Sequence, residues 1–127
     1  MTTRLMLIDD DAAARRMMRR ILERRGYVVE EAGDGRTGLE AIRAAHPAGV
    51  ILDLRMPGEL SGLDVARELR SDPATATIPI IIVSASAHMD ARDMTAELGC
   101  DAFVEKPVDF DDLYHALDVH VPRDSAD

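Results

Sequence analysis

The chain has one cysteine, Cys100, in 127 residues. It can therefore close no internal disulfide and build no cysteine-based metal cluster. Beside Gly99, at a predicted helix end, Cys100 reads as a small core residue. No apolar stretch approaches the ~20 residues that span a bilayer, and the opening MTTRLMLID lacks the pattern of a signal peptide. A cytoplasmic protein without membrane insertion is expected. Basic residues are outnumbered, 15 against 24 acidic, and the formal net charge of -9 speaks against direct contact with nucleic acid. Lysine is nearly missing, since Lys106 is the one basic residue that is not Arg. Lysine offers a compact, mobile point charge where arginine offers a planar fork, which makes Lys106 a candidate for a specific task. Also missing are a GxSxG elbow, a Walker phosphate loop, a GxGxxG run, an internal repeat and an interdomain linker.

What is present is a regular alternation. With 46% hydrophobic residues the chain is long enough for one compact domain and too short for two. A single domain over residues 1–127 is expected, with its core at about 4–121 and a tail at 122–127. Short apolar runs read as strands: RLMLI (4–8), YVVEE (27–31), GVILD (49–53), PIIIV (79–83) and AFV (102–104). Most are too uniformly apolar for a sheet with one wet face, which points to parallel strands covered on both sides. Helical patterns separate them: 12–25 with Met17, Met18, Ile21 and Leu22 on one side, TGLEAIRAA before Pro47, 63–70, 90–98 closed by Gly99, and a fifth after Asp109. Five β-α units in succession predict an α/β fold, a doubly wound five-stranded parallel sheet.

In such a sheet the functional crevice lies at the carboxyl ends of the strands. Asp9 and Asp10 follow the first strand, Asp53 ends the third, Ser84 follows the fourth and Lys106 the fifth. The run LIDDD puts three carboxylates, Asp9, Asp10 and Asp11, against an apolar strand. A helix N-cap accounts for one of them, and a bound cation would offset the repulsion among the others. An all-oxygen donor set suits Mg2+, with Mn2+ as a substitute. An open magnesium site beside a Lys and a Ser hydroxyl suits a phosphoryl group, and a carboxylate can serve as its acceptor by forming an aspartyl phosphate. Asp53 is the candidate nucleophile, because it stands alone while Asp9 and Asp10 form a pair. The histidines His46, His88, His115 and His120 lie in or next to helices, away from the crevice, and read as solvated surface residues.

These motifs, taken in order, resemble the receiver domain of two-component response regulators: Asp9-Asp10 after strand one, Asp53 opening DLRMP, Ser84-Ala85 after IIIV, and Lys106-Pro107 after FVE. The resemblance covers Arg4 to about Val121. It implies a flavodoxin-like receiver fold with strand order 2-1-3-4-5. It implies that Asp53 accepts a phosphoryl group from a sensor histidine kinase or histidine phosphotransfer protein. Asp10, Asp53 and the backbone carbonyl of Arg55 would hold the magnesium, with Asp9 reaching it through water. Lys106 would pair with the phosphoryl oxygens, while Ser84 and Phe103 would form the switch. Arg55 and Ser86 would border the phosphoryl group and influence its lifetime. The output would be the face made by the fourth helix, fifth strand and fifth helix, acting on a downstream protein target, in a monomer or weak dimer.

Three departures from the family pattern stand out. Phe103 replaces the frequent Tyr, so the switch must rest on packing alone. Val108 follows Pro107 where an aromatic is common. Gly62 stands nine residues beyond Asp53 where the family usually has eight. The first helix carries Arg15, Arg16, Arg19, Arg20, Arg24 and Arg25, either a solvated face or a docking surface for the partner's helical bundle. Charge reversal at Arg15 and Arg19 tests the second reading. The rival readings of the whole chain are a non-switching scaffold, against which the complete residue set argues, and a small magnesium-dependent phosphohydrolase. The latter would want an Asp two residues after the nucleophile, where Arg55 stands.

Overall fold

The computed structural model describes residues 3–56, 58–85 and 89–122. Ten elements alternate: β1 (Thr3–Ile8), α1 (Ala12–Arg24), β2 (Tyr27–Ala32), α2 (Gly35–Ala45), β3 (Gly49–Leu52), α3 (Gly62–Ser71), β4 (Ile80–Ser84), α4 (Met89–Glu97), β5 (Ala102–Glu105) and α5 (Phe110–His120). All five strands pair in parallel, in the order β2-β1-β3-β4-β5. Both the class and the strand order expected above are therefore present. β1 lies centrally, its Ile8 registered against Ala32 on one side and Leu52 on the other. The expected tail beyond 122 and the residues Ser86 and His88 lie outside the described residues.

Strand side chains alternate between two cores, as a period of two requires. Met6, Ile8, Val50, Leu52, Ile80 and Ile82 face α2 and α3, meeting Leu39, Ile42, Val65 and Leu69. Leu5, Leu7, Ile51, Ile81 and Val83 face α1 and α5, meeting Met18, Leu22, Leu113 and Leu117. Both faces of the sheet are covered, which explains why the runs lack polar alternation. The apolar stripe of α1 is narrower than its sequence suggests. Met18 and Leu22 are buried, whereas Met17 is 54% exposed.

Helix starts at the carboxyl edge are fixed by short polar side chains. Asp11 accepts from the amides of Ala13 and Ala14, and Asp34 from that of Thr37. Asp34 thereby begins α2 at Gly35, two residues before the predicted TGLEAIRAA. Ser61 and Asp64 cap each other reciprocally at α3, and Asp109 caps α5. At the opposite end of α3, the Arg70 guanidinium donates to the carbonyls of Gly99, Ala76 and Ile78 and to Asp101 Oδ2. That fork ties the connections on either side of β4 to one side chain.

Candidate functional site

At the carboxyl edge the sheet releases its chains one hydrogen bond after the strands end. The amide of Asp9 donates to Ala32 O at 3.2 Å, and that of Asp53 to Ile8 O at 3.0 Å. The two carboxylates are thus fixed on neighbouring strand ends. The Lys106 amide donates to Ser84 O at 2.9 Å, which brings the lysine from the next edge toward them. Lys106 Nζ lies 3.0 Å from Asp53 Oδ2 and 3.1 Å from Asp9 Oδ2. The second oxygen of Asp53 accepts from the Arg55 amide at 3.1 Å, and that of Asp9 from the Asp11 amide at 2.9 Å.

Asp9 and Asp53 are buried, whereas Asp10 is exposed. No described residue hydrogen-bonds the Asp10 carboxylate. Each of the three offers an oxygen within 4.8 Å of the others. This set fits a hard divalent cation: the donors are all oxygen, and one carboxylate is open to solvent. The triplet of LIDDD divides as its chemistry suggests, with Asp11 committed to the helix cap and Asp9 and Asp10 turned to the cluster.

Burial pushes the Asp53 carboxyl above its ordinary value, and the charge of Asp9 adds to the rise. Hydrogen bonds from Lys106 and the Arg55 amide, and the lysine's charge, pull the other way without cancelling it. For Lys106 burial works to lower the value, but the hydrogen bond and charge of Asp53, followed by those of Asp9, outweigh it and raise the ammonium.

The remaining sequence candidates distribute around this centre. Ser84 is not beyond β4 but its last residue, fully buried and registered against Glu105. Arg55 contributes its amide to the site, and its side chain is exposed. Phe103 is partly buried against the α2 and α3 side of the core. The Arg92 guanidinium lies 4.5 Å from its ring centroid. His46 and His115 are exposed and His120 is partly exposed, as expected of surface histidines.

Gly62 closes the loop after Asp53 against the backbone that the loop leaves. A Cβ at Gly62 would overlap the carbonyl oxygen of Asp53, and the Gly62 amide donates to Leu54 O at 3.1 Å. The start of α3 therefore presses directly on the backbone of Asp53. Further out in this loop, exposed Glu59 pairs with Arg36 at 2.9 Å.

Arg15 hides in the sequence as one of six arginines of a charged helix. In the fold, its Nη1 donates to Asp9 O at 2.7 Å and its Nε to Glu31 Oε1 at 2.9 Å. Arg19 Nη1 holds the other oxygen of Glu31 at 2.7 Å. Arg19's bond, with that of Arg15, keeps the Glu31 carboxyl below its ordinary value despite partial burial. Arg16, Arg20 and Arg24 point outward instead, lining a shallow groove with Ala13, Met17 and Ile21. The only signal for this division is helical phase: Arg15, Met18, Arg19 and Leu22 share one side.

A carboxylate pair, a lone carboxylate and a lysine at the carboxyl edge of a doubly wound parallel sheet define an α/β domain with an acidic, lysine-bearing site at its strand ends. The chain matches the response regulator receiver domain family over residues 5–118, and it belongs to that family. It is 31% identical over 108 residues to the polar-differentiation response regulator DivK of Brucella ovis, covering 85% of this chain and 87% of the relative. It is 35% identical over 127 residues to the response regulator MprA of Mycolicibacterium vanbaalenii, covering all of this chain and 54% of that longer protein. Among solved structures, a CheY-like response regulator receiver domain protein from Methanospirillum hungatei superposes with a TM-score of 0.86 at 25% identity, covering 94% of this chain and 93% of the other. The Vibrio cholerae chemotaxis protein CheY4 superposes with a TM-score of 0.88 at 23% identity, covering 95% and 100%, and shares the fold.

Proposed function

We propose that this receiver domain is a phosphoacceptor whose Asp53 takes a phosphoryl group from a phosphohistidine of a sensor kinase or phosphotransfer protein. The observation that carries this reading is Lys106 Nζ bonded to both Asp53 and Asp9, at 3.0 and 3.1 Å. A carboxylate oxygen of Asp53 forms the new bond to phosphorus as the P–N bond of the donor breaks, and the electron pair leaves on the imidazole nitrogen. Lys106 then pairs with a phosphoryl oxygen, and the Ser84 hydroxyl with another. Asp10, Asp53 and the Arg55 carbonyl would hold Mg2+, with Asp9 acting through water, and the ion when bound would neutralise charge on the phosphoryl oxygens.

On this reading the domain signals rather than turning over a substrate. Ser84 and Phe103 carry the change to the face made by α4, β5 and α5, which then controls a protein target. Arg55 and Ser86 govern the lifetime of the phosphoryl group. The outward arginines of α1, together with Met17 and Ile21, form the docking face for the histidine partner. Arg15 and Arg19 are held inward by Glu31 and are poor probes of that contact.

Intact-protein mass spectrometry after incubation with acetyl phosphate tests the reading. One added phosphoryl group that requires both magnesium and Asp53 supports it. An adduct that persists in Asp53→Asn, or none in wild type that also fails to bind beryllofluoride, overturns it.

A further inference from the structure

Asp9 has every polar group engaged. Its amide is bonded to Ala32, Oδ1 to the Asp11 amide, Oδ2 to Lys106, and its carbonyl oxygen to Arg15. The carbonyl bond matters most for the next residue. A peptide unit is planar, so anchoring the Asp9 oxygen fixes the plane that also contains the Asp10 nitrogen and Cα. The Asp11 amide, tied to Asp9 Oδ1 at 2.9 Å, holds the peptide on the far side of Asp10, and with both flanking peptides held the direction in which the Asp10 side chain leaves the backbone is set. No described residue bonds to the Asp10 carboxylate itself, yet one of its oxygens lies within 4.8 Å of those of Asp9 and Asp53. Its placement comes from the backbone beneath it.

Arg15 is itself held. Its side chain is 19% exposed, and Nε is bonded to Glu31, whose side chain is 18% exposed and whose second oxygen is bonded to Arg19. Gly33 leaves the path open: a Cβ there would sit 3.2 Å from Arg15 Nη1. Two arginines and one carboxylate from α1 and β2 thus fix a single hydrogen bond to the turn between Asp9 and Asp10.

We infer that Arg15 is a positioning residue for the metal-binding carboxylate of Asp10, with Glu31 and Arg19 orienting it. The inference rests on the magnesium reading above and adds a residue to it. It also has a sign that separates it from simple electrostatics. Deleting a positive charge beside a carboxylate cluster should, by charge alone, tighten cation binding. Loss of positioning should loosen it.

The test is magnesium titration by calorimetry on metal-free wild type, Arg15→Met, Arg15→Lys and Glu31→Gln, with urea unfolding in EDTA on each. Acetyl phosphate labelling rates are then measured across magnesium concentrations. Weakening of about tenfold in Arg15→Met, the scale on which residues supporting metal ligands act, is the expected result. Arg15→Lys, which keeps the charge and loses the fork, should fall on the same side, while labelling rates converge at saturating magnesium. Glu31→Gln, which retains Arg15 but removes the anion that orients it, should weaken binding less, and it stands in if Arg15→Met does not fold. Binding by Arg15→Met as tight as wild type or tighter overturns the inference while leaving the phosphoacceptor reading intact. A wild-type chain that takes up no magnesium overturns both.

Discussion

Lys106 Nζ lies 3.0 Å from Asp53 Oδ2, joining the end of β5 to the end of β3 across 53 residues of sequence. The pair is mostly enclosed, with side-chain exposures of 24% and 8%. Even so, burial holds the Asp53 carboxyl above its ordinary value, which means that the fold disfavours its charged form. A raised folded value contributes stability that is complete below the unfolded pKa and is lost as pH rises through the folded one. Asp53→Asn should therefore stabilise the metal-free protein at neutral pH by about 1 kcal/mol, the scale on which functional groups trade stability for activity. The gain should vanish at acid pH, where wild-type Asp53 is protonated. Urea unfolding in EDTA at both pH values measures it, and equal midpoints at neutral pH would contradict the account.

Gly62 bears on the same carboxylate from below. Any side chain there meets backbone atoms of Asp53 and Leu54 rather than the flexible end of another side chain. Gly62→Ala should cost about 1–3 kcal/mol through forced backbone shifts. It should also slow labelling by acetyl phosphate, since the displaced backbone carries Asp53, the proposed acceptor. Chemical denaturation and the labelling rate check the two parts. Full activity with normal stability would show that the α3 start does not set the position of Asp53.

Much of this was legible from residue order alone, because parallel sheets buried on both faces write themselves as uniform runs such as PIIIV. The convergence of Asp9, Asp53 and Lys106 followed from strand ends and needed no knowledge of side-chain contacts. Boundaries shifted where local chemistry intervened. Asp34 starts α2 early by capping it, and Ser84 belongs to β4 because it pairs with Glu105. The partition of the α1 arginines was harder to read. Arg15 turns inward because Glu31 and the Asp9 carbonyl await it, and both belong to other elements. A charged residue's partner is a tertiary fact, whereas hydrophobic periodicity is a local one.

Cys100 illustrates the same contrast. It sits among apolar residues packed on the α2 and α3 side of the sheet, and burial pushes its thiol up to about 11. The thiolate is the reactive form. Alkylation by iodoacetamide should be slow in the native protein at pH 8 and rise only as the pH approaches the raised value. In urea the thiol should react as an ordinary exposed one. The linked stability is complete below the ordinary thiol value and lost as pH climbs toward about 11. Native and unfolded rates that coincide at pH 8 would show the thiol to be accessible and unperturbed.

The outward arginines of α1 yield the most direct test of partner choice. On a chain of net charge -9, Arg16, Arg20 and Arg24 form a basic row beside exposed Met17. None of the three pairs with another described residue, whereas Arg15 and Arg19 share Glu31 and Arg19 also pairs with Glu23. A local patch opposite in sign to the whole attracts an acidic surface by steering, which acts on association rate and fades with salt. The double reversal Arg16→Glu and Arg20→Glu should slow phosphoryl transfer from the histidine partner by about tenfold or more at low salt. Labelling by acetyl phosphate, which needs no docking, should be unchanged. Raising the salt concentration should slow the wild type toward the variant, because screening removes the same attraction. Equal loss with both donors would place the arginines' effect in folding instead, and transfer at the wild-type rate would leave the row a solvated face.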